Sequence, residues 1–136
     1  MHTHLLPEGW PRPKGYANGV LAEGGKTIFI GGQIGWNSNC EFETDDFVEQ
    51  VAQALANVKA VLAAADAGPE HMVRMTWYIT DKKAYTDNQR EIGQAYREVM
   101  GKHFPAMSVV QVVALVEDAA KVEIEVTAVI NDALPG

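Results

Sequence analysis

A chain of 136 residues that is 47% hydrophobic and 21% charged is the size of one domain and can bury a core of its own. Its formal net charge of −7 argues against nucleic acid as a main ligand, because such a partner needs a basic surface that releases counterions. The lone Cys40 leaves no intrachain disulfide framework, and MHTHLLPEGW lacks the basic and apolar regions of a signal peptide, so the expected setting is the cytoplasm.

Residues 1–15, with Pro7, Pro11 and Pro13, predict an extended arm without regular structure that ends in a turn at Lys14-Gly15. Tyr16 to Leu21 and Thr27 to Gly31, joined by Glu23-Gly24-Gly25-Lys26, predict an N-terminal hairpin. Gly31-Gly32-Gln33-Ile34-Gly35 follows a strand but leads into Trp36-Asn37-Ser38-Asn39 and not a helix, so it is not a dinucleotide fingerprint. Its small residues let a backbone or a ligand approach the strand end. Thr44, Asp45 and Asp46 are helix-start residues, Phe47, Val51, Leu55, Val58 and Leu62 make one apolar face, and Gly68-Pro69 is the stop. Gln53, Asn57, Lys59 and Asp66 interrupt that apolar stretch, which is too polar and short to span a bilayer.

Residues 72–80 alternate as a strand whose core side is Val73, Met75, Trp77 and Ile79. A second helix is predicted over 84–100, with Gly101 as its left-handed cap. Two Val- and Ile-rich runs, 107–116 and 121–130, flank the EDAA at 117–120 and predict a hairpin or a closely spaced strand pair. The first of them is apolar on both faces, which calls for cover on both. The order ββ-α-β-α-ββ defines an α+β fold in one domain, with two helices on one face of a mixed sheet and self-association over the other.

Few residues point to chemistry by themselves. His2 and His4 lie in the arm, His71 and His103 are isolated, and no spacing suggests a metal site. Cys40 has no positioned base. Glu123 and Glu125 share a strand face, and solvated edge positions explain them as well as a catalytic pair does. Arg74, Arg90 and Arg97 are candidate anion anchors in segments where ion pairing is the default.

FPAMS at 104–108, followed by VVQVVALVEDAAKVEIEVTAVI, resembles the terminal signature of the YjgF/RidA family, the reactive-intermediate deaminases, also called endoribonuclease L-PSP. GYANG at 15–19, GGQIGWN at 31–37, LANVKAVLAAA at 55–65 and Asn88 extend the likeness. The resemblance implies a chorismate-mutase-like fold and a homotrimer with ligand clefts between subunits. It also implies hydrolysis of imines and enamines to a keto acid and ammonia, without metal or cofactor. By the same resemblance Glu123 handles the water, and Tyr16, Gly32, Asn88 and Val109 line the pocket. Met107 stands where typical members grip the substrate carboxylate with an arginine, and a thioether cannot form that charge-assisted pair. With Trp36 added, the implied pocket is more apolar than is usual for the family. That points away from the standard 2-imino acids, toward a larger or less anionic substrate, or toward an anion held by Arg90 or Arg97 of a neighbouring subunit. The alternatives are a trimer that binds a small ligand or protects against stress without catalysis and, more weakly, a ribonuclease.

Overall fold

Gly24 and Gly25 turn the chain as the sequence predicts, but the strands on either side of them do not pair with each other. In the computed structural model, which describes residues 2–131, strand β1 (Thr3–Leu5) lies inside the expected arm and pairs antiparallel with β2 (Gly19–Leu21). The turn then carries the chain away into β3 (Lys26–Ile34). Both glycines have positive φ, 62° and 78°, and a Cβ on Gly25 would collide with the carbonyl of Ile130. The expected N-terminal hairpin is thus replaced by a small separate ribbon, with Leu5 packed on Gly19.

The main sheet is completed by β4 (Met72–Ile79), β5 (Ala106–Gln111) and β6 (Val122–Ile130), in the order β3-β6-β4-β5. β6 runs antiparallel to both neighbours, and β4 runs parallel to β5. The expected β5–β6 pairing is therefore overturned, because β4 lies between them. Strand β5 also ends at Gln111, short of the predicted 116, and Val113 and Val116 are fully exposed in the connection. Neighbouring strands lie about 4.8 Å apart, so a chain passing over β4 needs a connection and not a tight turn. Gln50 fastens its far end: the amide nitrogen donates to the carbonyls of Thr44 and Ala119, and the oxygen accepts from the Lys121 amide at 2.8 Å.

Helix α1 (Phe47–Ala64) begins at Asp46, whose carboxylate accepts from the Glu49 amide. It stops before the expected Gly68-Pro69, with Asp66 in the left-handed region at φ 57°. A short 3-10 turn, Pro69–His71, then leads into β4. The second predicted helix is split into α2 (Lys82–Thr86) and α3 (Gln89–Met100). At the break, Asn88 leaves helical geometry and its side chain donates to the Ala84 carbonyl at 2.8 Å, competing with the backbone ladder. Gly101 ends α3 at the expected place with the positive φ, 71°, that favours glycine, although its ψ of −154° is not that of a left-handed helical residue.

The core lies between α1, α3 and one sheet face, where Val51, Leu55, Val58, Met75, Trp77 and Ile124 are fully or almost fully buried. Burying each large aliphatic side chain there contributes about 1.5–3 kcal/mol. The other face presents Phe29, Arg74, Thr76, Tyr78, Glu123 and Glu125, with Phe29 79% exposed. Among the described residues no helix is long and apolar enough to cross a membrane.

Candidate functional site

Strand alternation decides which predicted site residues meet. Met107 lies beside Met75, and Val109 beside Trp77, so both point to the helix side of the sheet. Glu123 lies beside Tyr78, on the opposite face. Within one chain, then, Glu123 does not share a pocket with Met107 and Val109.

On the helix side a cavity of about 390 Å³ opens between α3, β4, β5 and the segment 14–16. Its floor is Trp77, Met107 and Val109. Tyr16 reaches its rim because the neighbouring Ala17 bridges to Ala106 and donates from its amide to the Pro105 carbonyl at 3.0 Å. Aromatic side chains build the walls. Tyr85 meets Trp77 edge-on, with centroids 5.9 Å apart, and Tyr96 stacks on Phe104 at 5.1 Å. Burial raises the pKa of both Tyr85 and Tyr96, so their hydroxyls remain protonated donors, and Tyr96 donates to the His103 carbonyl. Lys14 and Arg97 supply positive charge at the rim.

The opposite face holds a second group. A Cβ on Gly32 would collide with the Glu123 carboxylate, so the absence of a side chain there is what admits Glu123. Gly32 falls in the register shift between Ile30 and Gln33, where the β3–β6 ladder is interrupted. The Tyr78 hydroxyl donates to Glu125 at 2.7 Å, and this bond, with burial and the charges of Glu125 and Glu123, raises its pKa against the opposing pull of Arg74. Glu123 has no hydrogen-bond partner among the described residues. The two glutamates, equivalent by spacing, are thus distinguished by their neighbours.

Trp36 lies apart, packed on Phe42 at 5.8 Å, with its carbonyl accepting from Asn57. Asn88 occupies the α2–α3 break next to the cavity residue Gln89, with its amide spent on Ala84. Of the two arginines expected in a neighbouring subunit's reach, Arg97 lines the cavity of its own chain and Arg90 does not. Sequence reasoning read Trp77 only as core and did not single out Lys14 or Gly93. The Gly93 to Arg97 spacing of one helical turn was the available signal, since a Cβ on Gly93 would stand 3.2 Å from an Arg97 guanidinium nitrogen. Among the described residues no three side chains are grouped as a metal site.

A mixed sheet covered by helices on one face, with a cavity on that side and two carboxylates, Glu123 and Glu125, on the other face, defines an α+β protein that presents polar groups on both sides of its sheet. The chain belongs to the YjgF/RidA family: the profile described as endoribonuclease L-PSP matches residues 11–130. A RutC family protein of Aquifex aeolicus is 38% identical over 120 residues, covering 88% of this chain and 92% of that protein. The human 2-iminobutanoate/2-iminopropanoate deaminase is 30% identical over 115 residues, covering 84% of this chain and 79% of its own length. A crystal structure of a Rid-family protein of unknown function, YyfB from Yersinia pestis, superposes with a TM-score of 0.83 at 32% identity, covering 94% of this chain and 98% of that one.

Proposed function

We propose that the protein is a hydrolytic deaminase of an imine or enamine larger than the standard small 2-imino acids, working as a homotrimer with its sites in clefts between subunits. One observation carries this reading. Glu123 is held over Gly32 without a hydrogen-bond partner among the described residues, on the sheet face that no helix covers. A carboxylate so placed is available for proton transfer. In the trimer, the Glu123 face of one subunit completes the cavity of the next. A relative named as a 2-iminobutanoate/2-iminopropanoate deaminase supports the reaction class.

The chemistry is balanced by one carboxylate and one water. The water oxygen bonds to the carbon of the protonated C=N group while Glu123 takes its proton. Glu123 returns that proton to nitrogen and, ionised again, accepts the hydroxyl proton as the C–N bond breaks, so that a carbonyl compound and ammonia result. An enamine enters the same route after protonation at carbon. Met107 supplies no charge for a substrate anion, and Arg97 at the rim takes that role.

Ammonia release from freshly generated 2-aminoacrylate and from bulkier imines, in the wild type and in Glu123→Gln, tests the proposal. Release by the wild type that falls by about 10²–10⁴-fold in the variant is the expected result. Sedimentation should give a trimer. Met107 favours a second reading, a trimer that binds its ligand without turning it over, and no release from any imine by either protein would establish it. Ribonuclease activity is the weakest reading, because a net charge of −7 repels a phosphodiester chain.

A further inference from the structure

Of the two tyrosines that α2 and α3 bring to the cavity, only one has its hydroxyl in use. Tyr96 donates to the His103 carbonyl, whereas Tyr85 makes no hydrogen bond among the described residues. The Tyr85 oxygen can also be reached. Among the described residues, the polar side-chain atoms both sealed and unpaired are Nδ1 of His2 and Nε1 of Trp77, and the half-buried Tyr85 contributes none. Desolvation alone raises its pKa, so the hydroxyl keeps its proton at neutral pH and serves as a donor. Its ring stands edge-on to Trp77, at an interplanar angle of 88°. Helix α2, which carries it, is anchored at its start, where Asp81 accepts from the Lys83 amide at 3.0 Å and Gln111 Oε1 accepts from the Lys82 amide at 2.6 Å. The floor beneath offers no competing donor: Met107 and Val109 have none, and the Trp77 N–H is sealed. A lone phenol gives one hydrogen bond, and a buried carboxylate needs a charged partner or several donors, so the acceptor that suits Tyr85 is uncharged.

We propose that Tyr85 sets the specificity of the cavity by donating a hydrogen bond to an uncharged oxygen of the ligand, a ketone or ether oxygen carried on an apolar body. The volume of about 390 Å³ admits such a ligand, and Trp77, Ile92 and Val109 supply its apolar surroundings. This narrows the substrate class of the proposed deaminase and rests on that reading's choice of cavity. Tyr85 contributes direction and not charge, so it selects among substrates of one size by whether they carry the oxygen.

Two stable, uncharged probes of nearly the same shape, acetophenone and isopropylbenzene, differ in one carbonyl oxygen and are not turned over. Their dissociation constants are measured by titration with the wild type and with Tyr85→Phe, which removes the hydroxyl alone. The variant should bind acetophenone about three- to tenfold more weakly, the effect of one lost hydrogen bond, and isopropylbenzene unchanged, which shows the cavity intact. Tyr16→Phe should leave acetophenone binding within twofold. A second measurement uses the unaltered protein, in case the variant does not fold. The infrared carbonyl stretch of isotopically labelled acetophenone should move to lower frequency in the wild-type complex than in an apolar solvent, as a hydrogen-bonded ketone does. An unshifted stretch, an equal effect of Tyr85→Phe on both probes, or binding of neither probe would overturn the inference. So would a loss of acetophenone binding in Tyr16→Phe and not in Tyr85→Phe. Ammonia release from imines that depends on Glu123, with acetophenone unaffected by Tyr85→Phe, sinks the Tyr85 contact and leaves the deaminase standing. Selective loss of acetophenone in Tyr85→Phe, with no ammonia release from any imine, sinks the deaminase and leaves the contact.

Discussion

The hydroxyl of Tyr78 donates to Glu125 at 2.7 Å, which commits one carboxylate of the β6 pair and leaves Glu123 over Gly32 without such a partner. The two glutamates should therefore respond differently to the same change. Glu123→Gln should lower the rate of ammonia release by about 10²–10⁴-fold with little change in KM. Glu125→Gln keeps an acceptor for Tyr78 and should leave the rate within a few-fold of wild type. Steady-state kinetics of both variants on one substrate checks the contrast.

Gly32 and Gly35 are both irreplaceable, for different reasons. A methyl group at Gly32 meets a flexible carboxylate, so Gly32→Ala should fold but lose most activity as Glu123 is pushed aside. At Gly35 the same methyl group would stand 2.6 Å from Cβ of Gln50 and 2.8 Å from its Cα, against the body of α1. Gly35→Ala should cost about 1–3 kcal/mol of stability through overpacking. Urea unfolding and activity measured together distinguish the two effects.

Gln50 is fully buried, and its amide joins α1 to both sides of the 112–121 connection's end. Gln50→Ala leaves the Ala119 carbonyl and the Lys121 amide without this partner. The expected loss is about 1–3 kcal/mol for each group left buried and unsatisfied. Hydrogen exchange should show the Lys121 amide deprotected well before the amides of β6 are.

Tyr96 gives a pH dependence with a definite sign. Burial raises its pKa above the ordinary 10.0, so the folded chain retains a proton that the unfolded chain releases. Its contribution is complete below the unfolded value and is lost as pH rises from about 10 toward the folded value. The urea midpoint should fall over that alkaline window in the wild type. Tyr96→Phe should start lower at neutral pH, by about 0.5–1.5 kcal/mol for the lost bond to His103, and fall less steeply.

The start of α1 and its buried stripe were legible because Asp46 and the 3.6-residue spacing of Phe47, Val51, Leu55, Val58 and Leu62 are local signals. The break at Asn88 was less so, since only the fold shows its side chain taking the Ala84 carbonyl. Val113 and Val116 carry β-propensity without a partner strand, and only the Val112 amide still reaches the Ile79 carbonyl of β4, which is why the predicted strand outran β5. Of the site, the sequence reading placed Met107, Val109 and Trp36 around Glu123, whereas within one chain the strand register puts Met107 and Val109 on the helix side and Glu123 over Gly32 on the other. Trp77 looked like core because it is core, and its unsatisfied N–H is visible only once every neighbour is in place.

The sequence by itself determined the buried stripe of α1, the alternation along β4 and β6 and the family, since each rests on residue types at fixed local spacing. Only the tertiary structure decided that β6 inserts between β3 and β4, and with it which carboxylate is committed and which side of the sheet each site residue faces. Strand pairing and side-chain satisfaction are long-range matters, settled by what the chain packs against and not by what it is next to.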